Sequence, residues 1–111
     1  MQKTTLFSMT GIATAAITAA RFVGLFTGAH CGAAAKAQGV SQTDAAIGDA
    51  FALDVHGTTI VESGAAVGAG VAIKSDAVGR AIAQAGAGEI VAYSVTAATA
   101  AGQKIEVLLA F

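Results

Sequence analysis

Residues 51–62 read FALDVHGTTIVE, and they carry the clearest β-strand pattern in the chain. The large apolar residues Phe51, Leu53 and Val55 alternate with small or polar ones, which places the large residues on one face of a strand. His56-Gly57 then predicts a turn, because glycine readily takes the positive φ that tight turns require. The stretch therefore predicts a β-hairpin.

Patterns on both sides of this stretch predict further strands of similar length. Asp76-Ala-Val-Gly79 predicts a turn that joins two more strands, and Ile105 and Val107 alternate with charged neighbours. The further strands are predicted at residues 21–27, 71–74, 80–83, 90–95 and 104–109. We therefore expect a mainly β chain that forms a single compact β-barrel or β-sandwich-like domain of hairpins. An extended N-terminal arm and at most one short helix complete this prediction.

Two features of the chain leave alternatives to this prediction open. Gly28, Gly48, Gly68 and Gly88 stand twenty residues apart, which is typical of a solenoid or of successive hairpins with similar strand lengths. We favour the hairpins, because few other residues repeat in phase. The alanine-rich runs at 33–37 and 97–101 are short and predict loops or single turns, although a short helix between Val95 and Gln103 stays open.

The composition favours a protein that assembles with other polypeptides. The chain has 29 alanines, 14 glycines, no proline and no tryptophan, and its six basic and seven acidic residues leave a net charge of −1. Its mean hydropathy is nevertheless +0.70. An alanine-rich interior gains less per residue than a leucine-rich one, since each buried CH₂ contributes about 0.8 kcal/mol. Burying apolar surface against neighbouring subunits would add to this stability.

The same composition argues against several kinds of partner. The six basic residues are scattered, so the clustered charge that nucleic acid requires is not expected. The segment at residues 4–20 is rich in hydroxyl groups, which suits neither a signal peptide nor a membrane span. We therefore expect no nucleic-acid and no membrane partner.

The residues that carry chemistry predict no catalytic, metal or cofactor site. His30-Cys31 are adjacent, so on a strand they point to opposite faces and do not chelate one ion together. Cys31 is expected to be a buried small residue. Asp44, Asp49 and Asp54 are expected to be solvated carboxylates beside turns or on an exposed strand face. The glycine-rich residues 64–70 lack the lysine and hydroxyl of a phosphate-binding loop. We expect no enzymatic activity.

The order of several short segments resembles the small capsid cement, or head-decoration, proteins of tailed bacteriophages. The resemblance covers residues 12–111. The segments that carry it are Ile17-Thr-Ala-Ala-Arg-Phe-Val23, Gly39-Val40, Asp44-Ala-Ala-Ile-Gly48, His56-Gly57, Val61-Glu-Ser-Gly-Ala65, Val67-Gly-Ala-Gly-Val71, Ser75-Asp-Ala-Val-Gly-Arg-Ala81 and Ala101-Gly-Gln-Lys-Ile-Glu-Val-Leu-Leu109.

This resemblance implies a structural virion protein on the outer surface of the phage head. Such proteins bridge neighbouring subunits of the major capsid protein and stabilise the head against internal pressure. The implied partners are the major capsid protein and copies of the chain itself, in a trimer or similar cluster. No cofactor is implied.

We divide the chain into an N-terminal arm at residues 1–11 and a β-domain at residues 12–111. The threonine-rich arm is expected to pair with a neighbouring subunit as an added strand. The alternative that the arm folds back onto its own domain stays open. The residues expected to contact the capsid or another subunit are Thr4, Thr5, Leu6, Phe7, Met9 and Ile12.

A second hypothesis is a secreted or cell-surface β-module that binds a ligand such as a glycan. Glycan sites favour exposed aromatic rings, but the chain has one tyrosine and five phenylalanines. Phe51 and Phe22 are expected in the core, which leaves few rings for such a platform.

Overall fold

The computed structural model describes residues 4–25, 27–84 and 88–109, and for residues 4–7 it describes the backbone alone. These residues form eight strands and no helix, so none of them belongs to a helix able to cross a membrane. The predicted mainly β class is confirmed. The strands are β1 (Thr4–Ile12), β2 (Phe22–Gly24), β3 (Ala37–Ser41), β4 (Ala50–Glu62), β5 (Ala72–Ser75), β6 (Ala81–Ala83), β7 (Ala92–Ser94) and β8 (Lys104–Leu109).

One curled antiparallel sheet contains all eight strands. Seven of them follow the order β2-β3-β4-β8-β7-β5-β6, and β1 pairs with β4 outside this order. The two ends of the order meet, because the N–H of Phe22 donates to the carbonyl of Gly79 at 2.7 Å. A bridge between Ser63 and Ala81 lies at the same seam. The sheet is therefore a nearly closed barrel, and the solenoid interpretation is wrong.

The predicted turn at His56-Gly57 is wrong, because both residues lie inside the 13-residue strand β4. Gly57 does take a positive φ of 96°. Opposite His56 and Gly57, the register of β1 shifts on either side of Phe7. Glycine with positive φ is a common component of a β-bulge, which bends a strand without ending it. The His56-Gly57 pair therefore marks a bend within one long strand rather than a turn between two short strands.

Other predicted elements are confirmed. In the β5–β6 hairpin, Asp76 Oδ1 accepts hydrogen bonds from the N–H of Val78 at 3.0 Å and of Arg80 at 2.8 Å. Strand β8 has the predicted bounds, and Ile105 and Val107 point into the core. The alanine-rich runs contain no helix, as the loop prediction requires; Ala98 instead forms a bridge with Val67.

The apolar interior consists of two clusters. The larger one fills the barrel and includes Phe22 and Ile73, both fully buried. The smaller one lies under the first half of β4 and consists of Ala13, Ile17, Val23, Phe51 and Leu53. Strand β1 lies against the smaller cluster, since Gly11 pairs with Phe51 and a Cβ at Gly11 would lie 3.0 Å from its ring.

We predict that Gly79→Ala destabilises the protein more than Gly70→Ala. Both glycines have positive φ, 83° and 72°, but a Cβ at position 79 would lie 2.5 Å from the Phe22 carbonyl, whereas position 70 is open. The left-handed backbone costs about 1–2 kcal/mol in either variant, and overpacking adds about 1–3 kcal/mol at position 79. Urea unfolding followed by circular dichroism measures both losses. Equal losses would contradict the close contact at the barrel seam.

Candidate interaction surface

Strand β1 corresponds to most of the predicted N-terminal arm. It pairs antiparallel with β4 of the same chain, from Thr4 opposite Thr58 to Ile12 opposite Ala50. In the single chain, the arm thus folds onto its own domain, which is the alternative that the sequence left open. A contact of the arm with a neighbouring subunit, and the division between residues 11 and 12, stay predictions.

The second edge of β1 has no strand partner in the part of the chain that the structure describes. Natural sheets protect such an edge with charged residues, proline or a very short strand. Strand β1 is nine residues long and has neither a charged residue nor a proline. Within the described part of the chain no strand pairs with this edge, which leaves it open to an added strand. At its end, the backbone of Gly28 lies against the Ile12 carbonyl.

The predicted contact residues divide into two groups. The side chains of Thr4, Thr5, Leu6 and Phe7 lie outside the described residues. Met9 is 38% exposed and Ile12 is 58% exposed. They lie on opposite faces of β1, because the strand alternates and they are three residues apart. Met9 stands opposite Leu53 at the margin of the smaller cluster, and Ile12 stands opposite Ala50 on the outer face.

A tight turn next to the end of β1 presents Ile47, which the sequence analysis did not select. Ile47 is 72% exposed. The N–H of Asp49 donates to the Ala46 carbonyl at 3.0 Å, and the N–H of Gly48 donates to the Ala13 carbonyl at 2.7 Å. These bonds fix the turn and connect it to the chain that leaves β1. The backbone of a defined turn therefore holds the side chain of Ile47 in solvent.

A groove of about 230 Å³ runs along the last residues of β1. The ring of Phe51 contributes to it because Gly11 has no side chain to cover that ring. Thr27 and Gln38 contribute polar groups. We call β1, the groove and the Ile47 turn together the β1 surface.

Asp54 corrects the prediction of a solvated carboxylate, because its side chain is fully buried. Its Oδ2 accepts a hydrogen bond from the Thr59 hydroxyl, and its Oδ1 accepts one from Gln42 Nε2. Asp54 lies between β1 and β3 in the sheet, since it is paired with both Ser8 and Val40. Asp44 and Asp49 are exposed, as predicted.

His30 and Cys31 have separate structural roles. The N–H of Thr18 donates to His30 Nε2 at 3.0 Å, so Nδ1 carries the proton of the neutral ring. Nδ1 is buried, and it has no hydrogen-bond partner of good geometry among the residues that the structure describes. Burial, and then the charge of Arg21, lower the pKa of His30 below its ordinary value, while the backbone of Phe22 acts in the opposite direction.

Cys31 is fully buried, as predicted. Its single S–H is shared between the carbonyls of Ala35 and Lys36, and Sγ lies 3.4 Å from each oxygen. Burial raises the pKa of this thiol, against a smaller lowering by Ser75. The thiol is thus kept neutral and inaccessible. Across residues 4–25, 27–84 and 88–109, no group of three or more potential metal ligands occurs.

Three basic residues that the sequence separates meet around Glu62. Its carboxylate lies 3.4 Å from Arg21, 3.5 Å from Lys104 and 3.9 Å from Arg80. Arg80 also pairs with Asp76 at 3.1 Å. Each pair contributes only about 0.2–1 kcal/mol at such exposure. The two carboxylates offset two of the three positive charges, and the cluster connects the end of β4 to β8 and to the β5–β6 turn.

Comparison with known proteins gives a family and a fold. A family model for phage cement proteins matches residues 1–109. The base of the head fibre gp8.5 of bacteriophage phi29 has a similar structure, with a TM-score of 0.79 and 19% sequence identity, over 94% of this chain and 93% of that chain. This likeness shows the shared fold. No curated protein sequence matches the chain.

We predict that His30 makes the protein less stable in mild acid. The pKa of His30 is lowered by folding, so below an ordinary value of 6.5 the unfolded chain binds a proton before the folded chain does. The contribution of His30 to the free energy of unfolding is complete well above pH 6.5. It declines as the pH falls, by up to about 1.4 kcal/mol per pH unit. The midpoints of urea unfolding at pH 7.5 and pH 5.5 measure this loss of stability.

The variant His30→Gln should lose this part of the pH dependence, and His56→Gln should keep it, because His56 is exposed. If His30→Gln has the same pH dependence of stability as the unmodified chain, the loss of stability in acid does not come from His30.

Proposed function

Because the chain belongs to the phage cement protein family, we propose that it binds the outer surface of the phage head and bridges subunits of the major capsid protein. Membership makes the chain a structural component of the phage capsid. The unprotected edge of β1 is the observation that carries the finer proposal. The family is structural, which also supports a role without catalysis.

The β1 surface offers two kinds of contact to a capsid subunit. Its edge supplies backbone N–H and carbonyl groups to an extended segment of the partner, and each such hydrogen bond contributes about 0.5–1.5 kcal/mol. Ile12 and Ile47 supply apolar anchors beside that edge. Truncating a buried interface anchor commonly costs more than about 1 kcal/mol. Backbone pairing would fix the orientation, and the anchors would add affinity.

The contact residues proposed on β1 remain Thr4, Thr5, Leu6, Phe7, Met9 and Ile12, and we add Ile47. We propose that copies of the chain gather on the head in a trimer or similar cluster. A cluster would multiply the weak contacts of each copy, because linked sites bind with a high effective concentration.

The alternative of a glycan-binding module has less support from the structure. Such a module needs exposed aromatic rings, but Phe22 and Phe51 are buried in the two clusters. Among the side chains that the structure describes, Tyr93 is the one exposed aromatic ring.

We predict that the double variant Ser8→Lys/Thr10→Lys folds normally and binds heads at least about tenfold more weakly. Both side chains are exposed, so the lysines leave the apolar core intact, and Ser8→Lys removes a 3.4 Å hydrogen bond from Gln42 Nε2 to Ser8 Oγ. Lysine is the residue with which natural edge strands prevent strand addition. Co-sedimentation with heads that lack the protein measures binding, and circular dichroism checks the fold. Point variants are preferable to deletion, because β1 covers Phe51 and Leu53.

The matched control is Ala77→Lys/Val78→Lys, which adds the same charge on the exposed β5–β6 turn. It should bind heads as the unmodified chain does. Saturation of heads by the Ser8→Lys/Thr10→Lys variant at unchanged affinity would refute the role of this edge. Ile47→Lys should also weaken binding, through loss of one anchor.

A further inference from the structure

The segment between β1 and β2 is held in place although it belongs to neither strand. We call residues 13–20 the strap. Ala13 and Ile17 supply two of the five buried residues of the smaller apolar cluster. At the start of the strap, the N–H of Ala13 donates to the Asp49 carbonyl at 2.9 Å. At its end, the N–H of Ala20 donates to the Ser41 carbonyl at 2.8 Å. The strap therefore closes over part of the apolar interior.

Two titratable side chains hold the middle of the strap. The N–H of Thr18 donates to His30 Nε2 at 3.0 Å. The next amide, that of Ala19, donates to Asp44 Oδ1 at 2.7 Å. The amides on either side of this pair donate to backbone carbonyls instead. The order of the strap at Thr18 thus depends on the protonation state of an imidazole ring.

Protonation of His30 removes the acceptor that Thr18 uses. Nε2 of the neutral ring accepts the Thr18 N–H, but in the charged ring both nitrogens carry a proton and neither accepts. Two N–H donors would then face each other at the distance of a hydrogen bond. Nδ1 offers no compensation, because it is buried and has no hydrogen-bond partner of good geometry within the described ranges. The charged ring is therefore incompatible with the closed strap.

The surroundings of His30 favour its neutral form while the strap is closed. Burial has the largest effect on the pKa of the ring and lowers it. The charge of Arg21 lowers it further, and the backbone of Phe22 raises it by less. The β5–β6 turn also packs here, since a Cβ at Gly79 would lie 3.4 Å from His30 Cβ. Opening of the strap would relieve part of this burial and make protonation easier.

The carboxylates around this site already have partners. The charged groups and the thiol on the elements near the ring are Arg21, Cys31, Asp44, Glu62, Asp76 and Arg80. Glu62 lies 3.4 Å from Arg21, and Asp76 lies 3.1 Å from Arg80. Asp44 accepts the strap amide next to Thr18. A positive charge on His30 would therefore have to compete for these carboxylates.

We propose that mild acid opens the strap locally, as His30 takes up a proton and Thr18 loses its acceptor. The rest of the barrel stays folded. Below the ordinary pKa of 6.5, each pH unit favours the protonated, open form by up to about tenfold. The open fraction should therefore rise by up to about tenfold between pH 6.5 and pH 5.5.

Opening of the strap would also reach the β1 surface. The strap continues β1, and the N–H of Gly48, beside Ile47, donates to the Ala13 carbonyl at 2.7 Å. Heads should therefore bind the chain more weakly at pH 5.5 than at pH 7.5. This consequence rests on the proposed function, whereas opening of the strap can be measured on the chain alone.

Amide hydrogen exchange followed by NMR measures the opening at single residues. The protection of Thr18, corrected for the intrinsic effect of pH on exchange, should fall by up to about tenfold between pH 6.5 and pH 5.5. Ile105 and Val107 of β8 should keep their protection. In His30→Gln the fall at Thr18 should disappear, because the amide oxygen of glutamine accepts an N–H and does not titrate. The matched control His56→Gln, at an exposed position, should behave as the unmodified chain does.

A second measurement on the unmodified chain does not depend on the folding of His30→Gln. The chemical shift of the Thr18 amide should follow the titration of the His30 ring. If the protection and the shift of Thr18 do not change with that titration, the proposal is overturned. An equal loss of protection in β8 also overturns it, because the whole barrel would then unfold.

Binding to heads separates this proposal from the proposed function. If the strap opens but heads bind equally well at both pH values, the effect of the strap on the β1 surface is overturned. If heads do not bind the chain even at pH 7.5, the proposed function fails while the opening of the strap stands.

Discussion

The backbone pairing of β4 on both of its edges is the constraint on which the rest of this structure depends. Leu53 is paired with Met9 of β1 and with Ser41 of β3, and Thr58 is paired with Thr4 and with Leu108 of β8. One strand therefore fixes the positions of three others. The bend at its glycine lets the same strand serve both clusters of apolar residues.

The sequence predicts best where the deciding interactions are local. Strand β8 follows from strict alternation, and the β5–β6 hairpin follows from Asp76, whose carboxylate accepts hydrogen bonds from the turn itself. The burial of Phe22 and Phe51 follows from their size. The resemblance to phage cement proteins was carried by the order of such local segments, and the family is confirmed.

Features that depend on distant partners could not be predicted in this way. A glycine with positive φ predicts a turn or a bulge equally well, and only the strands beside Gly57 decide between them. Asp54 is buried, and the fold brings Gln42, twelve residues away, to its carboxylate. Strand β3 lacks alternation because Gly39 is needed for close packing, where a Cβ would lie 2.6 Å from the Asp54 carbonyl. Ile47 resembles a core residue in sequence, and its exposure follows from the fold alone, whereas Leu108 is exposed as the alternation of β8 requires.

The position of β1 alongside β4, rather than at the tip of a hairpin, has a mechanical consequence. A tensile load that enters through β1 and leaves near β8 is directed along the strand axes. The backbone hydrogen bonds between β1 and β4 are then sheared together, whereas a load across the strands would peel them apart one by one. Rupture under tension is governed by the rate of unfolding rather than by equilibrium stability. A small alanine-rich domain loaded in this way would resist rupture beyond what its modest core suggests.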